Sequence, residues 1–352
     1  MVKKDLSFWK KRKVLVTGHT GFKGSWLSIW LDSLGAEVFG YSLDPPTEPS
    51  LYKEAKLYNF VQSTLSNIND LDQLETCFLN FKPEIVFHLA AQPLVRDSYE
   101  SPIETYNTNV IGTLNVLEAA RKTKTIKSII IVTTDKCYEN FGLNKAYEET
   151  DPMGGFDPYS SSKACVEILT KSYSQSFFDT KKIGIATVRA GNVIGGGDWA
   201  KDRLIPDVIR SFDANQTLKI RYPNSIRPWQ HVLEPLYGYL ILAENLYISP
   251  EKYSGAWNFG PNNSDAINVE LIVKKLSKYW ENPIWMIDKS DNPHESSFLR
   301  LDIKKAKSRL KWSPKWNIDI AITKILSFHK RWSHGEDAYD LCLEQIKEFN
   351  NN

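Results

Sequence analysis

Residues Lys13 to Leu34 read KVLVTGHTGFKGSWLSIWLDSL. A short apolar run, Val14 to Val16, enters a turn with glycines at Gly18, Gly21 and Gly24, and from Trp26 apolar residues recur at helical spacing through Leu27, Trp30 and Leu31. The pattern is strand, tight turn, helix. Glycines let a backbone come close to a pyrophosphate, and the free N–H groups and dipole of a helix start favour its negative charge. An acidic residue, Asp44, closes the next strand about 20 residues on, the offset at which such a unit meets a ribose. Three spaced glycines are a weak signal alone; set between a strand and a helix, they point to nucleotide binding.

Outward from this turn, strands and helices alternate as far as about Thr187. Strands are expected at Glu37 to Ser42, near Phe60 to Gln62, at Glu84 to His88, at Ser128 to Thr134 and at Ile183 to Arg189. Helices are expected at Ile68 to Phe81, at Glu104 to Lys122 and from Tyr159 onward. This rhythm predicts an α/β fold, a Rossmann-type doubly wound parallel sheet with ligands at the carboxyl ends of its strands. Beyond Asn192 the rhythm breaks into a glycine-rich stretch, GNVIGGGDW, a helical RLIPDVIRSF, a short strand LKIRY and further helices. Residues 1–192 are therefore expected to form the dinucleotide-binding domain. Residues 193–352 should form a smaller C-terminal α/β substrate-binding lobe, with chain crossovers between the two and a last helix fraying at its end.

Bulk composition narrows the function. Across 352 residues, 44 basic side chains stand against 42 acidic ones, which argues against a nucleic-acid coat or a polybasic membrane anchor. The cysteines Cys77, Cys137, Cys165 and Cys342 show no CxxC pairing, and no apolar run approaches the roughly 18 residues of a membrane span. A cytoplasmic protein is expected, with no membrane, nucleic acid or metal among its partners. The tryptophans Trp26, Trp30, Trp280 and Trp332 follow helical periods and read as core or interface rather than sugar-stacking platforms.

The chemistry concentrates in Tyr159-Ser-Ser-Ser-Lys163. Four residues is about one helical turn, so phenol and ammonium share a face, and a lysine cation beside a phenol favours phenolate, making a base workable near neutrality. VTTDKCY ends the buried strand before it, and Thr134 supplies a hydroxyl able to share the same substrate oxygen.

Together TGHTGFKG, HLAAQ, TNVIGTLNVLEA and YSSSK resemble the extended short-chain dehydrogenase/reductase superfamily, the nucleotide-sugar epimerases and dehydratases, over nearly the whole chain. The resemblance implies NAD as cofactor, held by Gly18, Thr20, Gly21, Phe22 and Gly24, by Leu89, Ala90 and Ala91, and by Tyr159 and Lys163. It makes Tyr159 the base on a sugar hydroxyl, with Lys163 on the nicotinamide ribose and Thr134 assisting; Asn109 matches a structural and proton-relay asparagine. The ribose aspartate of relatives falls at Ser42, with Asp44 two residues on, and Asn67-Ile68 stands where relatives have an adenine-side Asp-Ile. No arginine sits beside Asp44 for a 2′-phosphate, which favours NAD over NADP, although His19 and Lys23 in the turn offer phosphate acceptors.

Simple epimerases of the superfamily carry small or apolar residues after the Thr134 position. Asp135 and Lys136 stand there instead, resembling the hexose 4,6-dehydratases, which carry Thr-Asp-Glu, and more closely their CDP-glucose branch, which carries Thr-Asp-Lys. In that reading Asp135 protonates the departing 6-hydroxyl, and Lys136 is either the C5 base or an electrostatic helper. The substrate implied is a nucleotide diphosphate sugar, bound by Asn192, Arg203, Arg227 and His294, the last in a Pro-His-Glu segment where relatives often have another arginine. His231 reads as structural. The product would feed deoxysugar and O-antigen synthesis. Competing readings are a dehydratase or 4-epimerase of a dTDP-, UDP- or GDP-hexose and, from another class, a non-catalytic NAD-binding scaffold. Relatives pair through the two long helices, so a homodimer or tetramer is expected.

Overall fold

The computed structural model describes residues 6–140, 142, 145–290 and 298–351. Seven strands form the central sheet: β1 Lys13–Thr17, β2 Glu37–Ser42, β3 Gln62–Leu65, β4 Ile85–His88, β5 Ser128–Val132, β6 Gly184–Ala190 and β7 Gly255–Phe259. Every pairing is parallel, in the order β7-β6-β5-β4-β1-β2-β3. The order reverses beside β1, so the cleft at the carboxyl ends of β1 and β4 lies at a topological switch point.

Helices cover both faces, as parallel sheets require. On one face lie α1 (Phe22–Ser33) and α6 (Leu233–Ile248), with the C-terminal α9 (Ala338–Asn351) packed on α1; α8 (Ile318–Ser333) reaches this layer through Phe328 and gives Ile318, Ala321, Ile322, Ile325 and Leu326 to a separate core. On the other lie α2 (Leu71–Phe81), α3 (Gly112–Lys122) and α4 (Pro158–Phe177). Val14, Val16 and Phe87 point into the first layer and Leu15 and Val86 into the second, so alternate residues of each strand feed separate cores. A third core joins α5 (Leu204–Asp213), α7 (Val269–Ser277) and the short parallel pair Leu218–Ile220 with Trp285–Ile287. β7 comes from the latter half of the chain yet completes the central sheet beside β6.

Several boundaries differ from expectation for local reasons. α1 begins at Phe22 rather than Trp26, because the extended Gly21 starts the helix before its apolar period becomes visible. α2 begins at Leu71, where Asp70 accepts the Gln73 amide as a cap, and Asn67–Asp70 forms a turn. The long helix starts at Pro102 and carries a π turn over Asn107–Ile111 before α3. β5 stops at Val132; Thr133 still donates its amide to the Val188 carbonyl of β6 at 2.9 Å, and the chain leaves the sheet at Thr134. α9 does not fray: Phe349 is fully buried, and its carbonyl accepts Lys315 Nζ at 2.9 Å.

Candidate active site

The carboxyl edge of the sheet opens into a cleft of about 1580 Å³, running from the glycine turn past β5 and α4 to Leu218–Tyr222 and Arg227. At one end backbone makes the wall. Gly18 has φ +74°, and a Cβ there would lie 2.7 Å from the Ala90 nitrogen; one at Gly24 would lie 2.1 Å from the Gly18 oxygen. Gly21, the N-cap of α1, contributes no side chain, so the helix start is left for an outside acceptor. Gly18, Thr20, Gly21, Phe22, Gly24, Leu89, Ala90 and Ala91 all line the cleft. This cradle fits a dinucleotide pyrophosphate.

Thr20 ties the turn to β2, its hydroxyl 2.8 Å from that of Ser42 and donating to the Leu43 carbonyl at 2.9 Å. Ser42 is buried in that contact, while Asp44 stands exposed on the wall two residues later. Asn67 and Ile68 complete this end; the Asn67 carbonyl accepts from Tyr41 at 3.1 Å, and Ile68 packs on Gly112. Asn109 does not line the cleft. It is fully buried behind it, where Nδ2 donates to the Gln92 carbonyl at 3.1 Å and to Ser162 Oγ at 2.8 Å, tying the segment after β4 to α4. His19 also points away, its ring beneath Gly40 and edge-on to Tyr52, and burial lowers its pKa to about 4; a phosphate in the cleft does not meet it.

At the other end side chains make the wall. Asp157 caps α4 by accepting the Ser160 amide at 2.8 Å, and Pro158 occupies the first turn. That start sets Tyr159 and Lys163 into the cleft. The phenol lies near the Thr134 hydroxyl, which donates to Asp135 Oδ1 at 3.1 Å. The spacing predicted a lysine-lowered phenol, and here the structure corrects it: burial pushes Tyr159 up to about 12. Lys163 instead donates to the Val132 carbonyl at 3.2 Å, and burial brings it down to about 8 against the opposing pull of Glu167.

Asp135 is 2% exposed, and burial outweighs Lys136, Thr134 and Arg227 in raising its pKa, which shifts the group toward its acid form. Its Oδ2 has no hydrogen-bond partner among the described residues. It fits beside Gly191 alone, where a Cβ would lie 2.3 Å from that oxygen. Lys136, half-buried, lines the same wall. Lys23 does too: burial, then Arg203 and Lys163, lower it to about 8, and Asp135 opposes them.

Asn192, Arg203 and Arg227 all reach the cleft. Arg203 pairs with Asp198 at 3.1 Å, and the buried Arg227 donates to the Ile226 carbonyl at 3.1 Å. His294 lies outside the described residues. His231 is structural, packed between Trp26 and Trp316. Sequence reading missed a cluster at the cleft mouth, where Arg96 and Arg221 each lie 3.0 Å from one oxygen of Asp202. Single charged residues 19 and 106 positions apart carry no motif.

A family model described as GDP-mannose 4,6 dehydratase matches residues 15–325. CDP-glucose 4,6-dehydratase of Salmonella typhimurium is 50% identical over 351 residues, covering 98% of each chain. A probable dTDP-glucose 4,6-dehydratase of Sinorhizobium fredii is 27% identical, covering 90% of this chain and 92% of its own. Among solved structures, dTDP-glucose 4,6-dehydratase from Bacillus anthracis in complex with NAD has a TM-score of 0.77 at 20% identity, covering 93% of this chain and 99% of that one. UDP-glucose 4-epimerase of Thermotoga maritima with UDP-glucose has a TM-score of 0.76 at 22% identity, covering 90% and 98%.

Proposed function

The chain belongs to the GDP-mannose 4,6 dehydratase family, and from that membership we propose that it is an NAD-dependent hydro-lyase converting CDP-glucose to CDP-4-keto-6-deoxyglucose and water. The observation that carries the reaction class is the buried Asp135, accepting the Thr134 hydroxyl on the same cleft wall as Tyr159. A 4-epimerase needs the tyrosine but no buried acid beside it. The 50% identity to a CDP-glucose 4,6-dehydratase supports the choice of nucleotide.

In this mechanism Tyr159, beside Thr134, takes the proton from the sugar 4-hydroxyl; burial raises the phenol, and the cationic nicotinamide of NAD would offset that rise when bound. NAD, held at the glycine turn and by Tyr159 and Lys163, would supply the redox chemistry, a hydride acceptor for C4 and a hydride donor for C6. The 4-ketone acidifies the C5 hydrogen, and Asp135 in its acid form gives a proton to the departing 6-hydroxyl. Lys136 stands close enough to Asp135 for their charges to interact, and either removes the C5 proton and returns it to C5 after C6 is reduced, or stabilises the enolate that is reprotonated there. The glycine turn would hold the pyrophosphate, and Asp44 a ribose. The wall from Ser42 to Glu48 offers two carboxylates and no cation, which suits a 2′-hydroxyl better than a 2′-phosphate. Arg203 and Arg227, with Asn192, would meet the substrate diphosphate. Residues 1–192 supply most of the cofactor wall and 193–352 most of the substrate wall.

Two copies pair, in this reading, through the long helices, which leave Ile103, Ile111, Ile168 and Phe177 exposed. Ile168→Glu should shift the mass in light scattering to a single chain. Four free thiols suit a reducing cytoplasm, and no helix among the described residues is long and apolar enough to cross a membrane. The product is a precursor for deoxysugars of surface polysaccharide.

The deciding assay incubates the protein and NAD separately with CDP-glucose, UDP-glucose, dTDP-glucose and GDP-mannose, following the alkali-induced absorbance of a 4-keto-6-deoxy sugar. Product from CDP-glucose alone is expected. Product from another nucleotide would overturn the substrate, and product from none would overturn the reaction class.

A further inference from the structure

Beneath the reaction end lies a buried carboxylate that this mechanism does not use. Glu167 stands on α4 one turn beyond Lys163 and two beyond Tyr159. Its oxygens take four donors. Oε1 accepts from the Thr133 hydroxyl at 2.5 Å and from Arg189 Nε at 2.9 Å, and Oε2 from the Thr187 hydroxyl and Arg189 Nη2, both at 2.7 Å. Arg189 spends its remaining nitrogen on Tyr138 Oη at 2.6 Å and the Glu149 carbonyl at 3.2 Å. Both partners are nearly sealed from water, at 6% and 3% exposed.

The register explains how these groups converge. β5 and β6 pair with Val132 opposite Val188, so Thr133 falls opposite Arg189, and Thr187 and Arg189, two apart, share a face. All three project toward α4. Burying an ion pair costs several kcal/mol of desolvation, offset only where geometry satisfies every donor. The three elements tied here are the ones that carry the reacting groups: α4 brings Tyr159 and Lys163, the end of β5 brings Thr134 and Asp135, and the end of β6 leads to Gly191 and Asn192.

We propose that Glu167, acting through the Thr133 hydroxyl, is a positioning residue that holds Thr134 and Asp135 in place against Tyr159. The inference rests on the reading of this end as the reaction site. A purely structural carboxylate would treat its two threonine donors alike. The site does not, because Thr133 is the peptide neighbour of Thr134, whereas Thr187 lies inside β6.

That asymmetry is the test. Glu167→Gln would strand the Arg189 guanidinium in the core, so the threonines carry the experiment. Thr133→Val and Thr187→Val each remove one donor from the same carboxylate and should lower thermal stability alike. Thr133→Val should reduce kcat on CDP-glucose about tenfold with KM nearly unchanged, Thr187→Val less than about twofold, and Thr133→Ser, which keeps the hydroxyl, should restore the rate, because small displacements of reacting groups are costly. Amide hydrogen exchange over residues 134–137 needs no substrate and should quicken in Thr133→Val alone. Equal kcat losses, or equal exchange in the two valine variants, would overturn the proposal. Should the wild type fail to turn over CDP-glucose, the functional reading falls and the exchange comparison still decides this one.

Discussion

The two ends of the cleft are built in opposite ways. The glycine turn is made of backbone, and its fitness lies in atoms that are missing: a Cβ at Gly24 would meet the Gly18 oxygen at 2.1 Å. The reaction end is made of side chains, and its fitness lies in atoms that are present: the Tyr159 and Thr134 hydroxyls and the Asp135 carboxyl. One end should therefore fail when an atom is added and the other when an atom is taken away.

The largest effect expected is at Tyr159. Tyr159→Phe removes one oxygen from a phenol that burial already holds near 12. Loss of a positioned general base costs about 10²–10⁴ in rate, so C4 oxidation should nearly vanish. Absorbance of reduced cofactor in a single turnover measures it, and a rate within tenfold of wild type would break the comparison at its chemical end.

Asp135→Asn comes next. It should leave C4 oxidation intact while slowing water loss about a hundredfold, within the range for a general acid. Equal loss of both steps would contradict the assigned role. The pH dependence follows from the sign of the shift. Burial raises the Asp135 pKa above the ordinary carboxylate value, so the acid form, and with it elimination, declines as pH rises through that raised value. The same proton contributes stability that is complete below the unfolded value and lost as pH climbs through the folded one. The asparagine variant should show neither decline, making it slower in the assay yet flatter in its profile of Tm against pH.

These expectations bear on what the sequence could reveal. A turn built from missing atoms announces itself, since Gly18, Gly21 and Gly24 are spaced by the geometry they must adopt, and Tyr159 and Lys163 are spaced by one helical turn. The alternation of strands and helices likewise follows from local periods. Charge environments are not local. Nothing near Tyr159 in the chain tells that Lys163 turns to the Val132 carbonyl, that the phenol rises instead of falling, or that His19 tucks beneath Gly40. Nor does spacing reveal that Asn109 works behind the wall, or that β7 returns from the second half of the chain to finish the sheet. These depend on strand order, which no short motif encodes.

Gly24→Ala tests the backbone end. The single methyl must displace the Gly18 oxygen, and the first turn of α1 with it, so NAD affinity should fall about tenfold or more, the scale of one to two lost charge-assisted hydrogen bonds. Calorimetric titration measures it. Unchanged affinity would mean that the turn relaxes freely and that the two ends differ less than their construction implies.

The smallest effect probes a place where the reaction end also depends on backbone. Asp157 accepts the Ser160 amide at 2.8 Å and the Ser160 hydroxyl at 2.6 Å, setting the first turn of α4, in which Tyr159 sits. Asp157→Ala removes the cap and should cost about 1 kcal/mol of stability. Asparagine caps comparably, so Asp157→Asn should recover most of it. If the reaction end is truly a side-chain construction, kcat should follow stability only weakly, because Tyr159 keeps its hydroxyl and its Thr134 partner. A loss of rate in Asp157→Ala as large as that of Asp135→Asn would show that helix geometry, and not the side chains alone, sets the chemistry there.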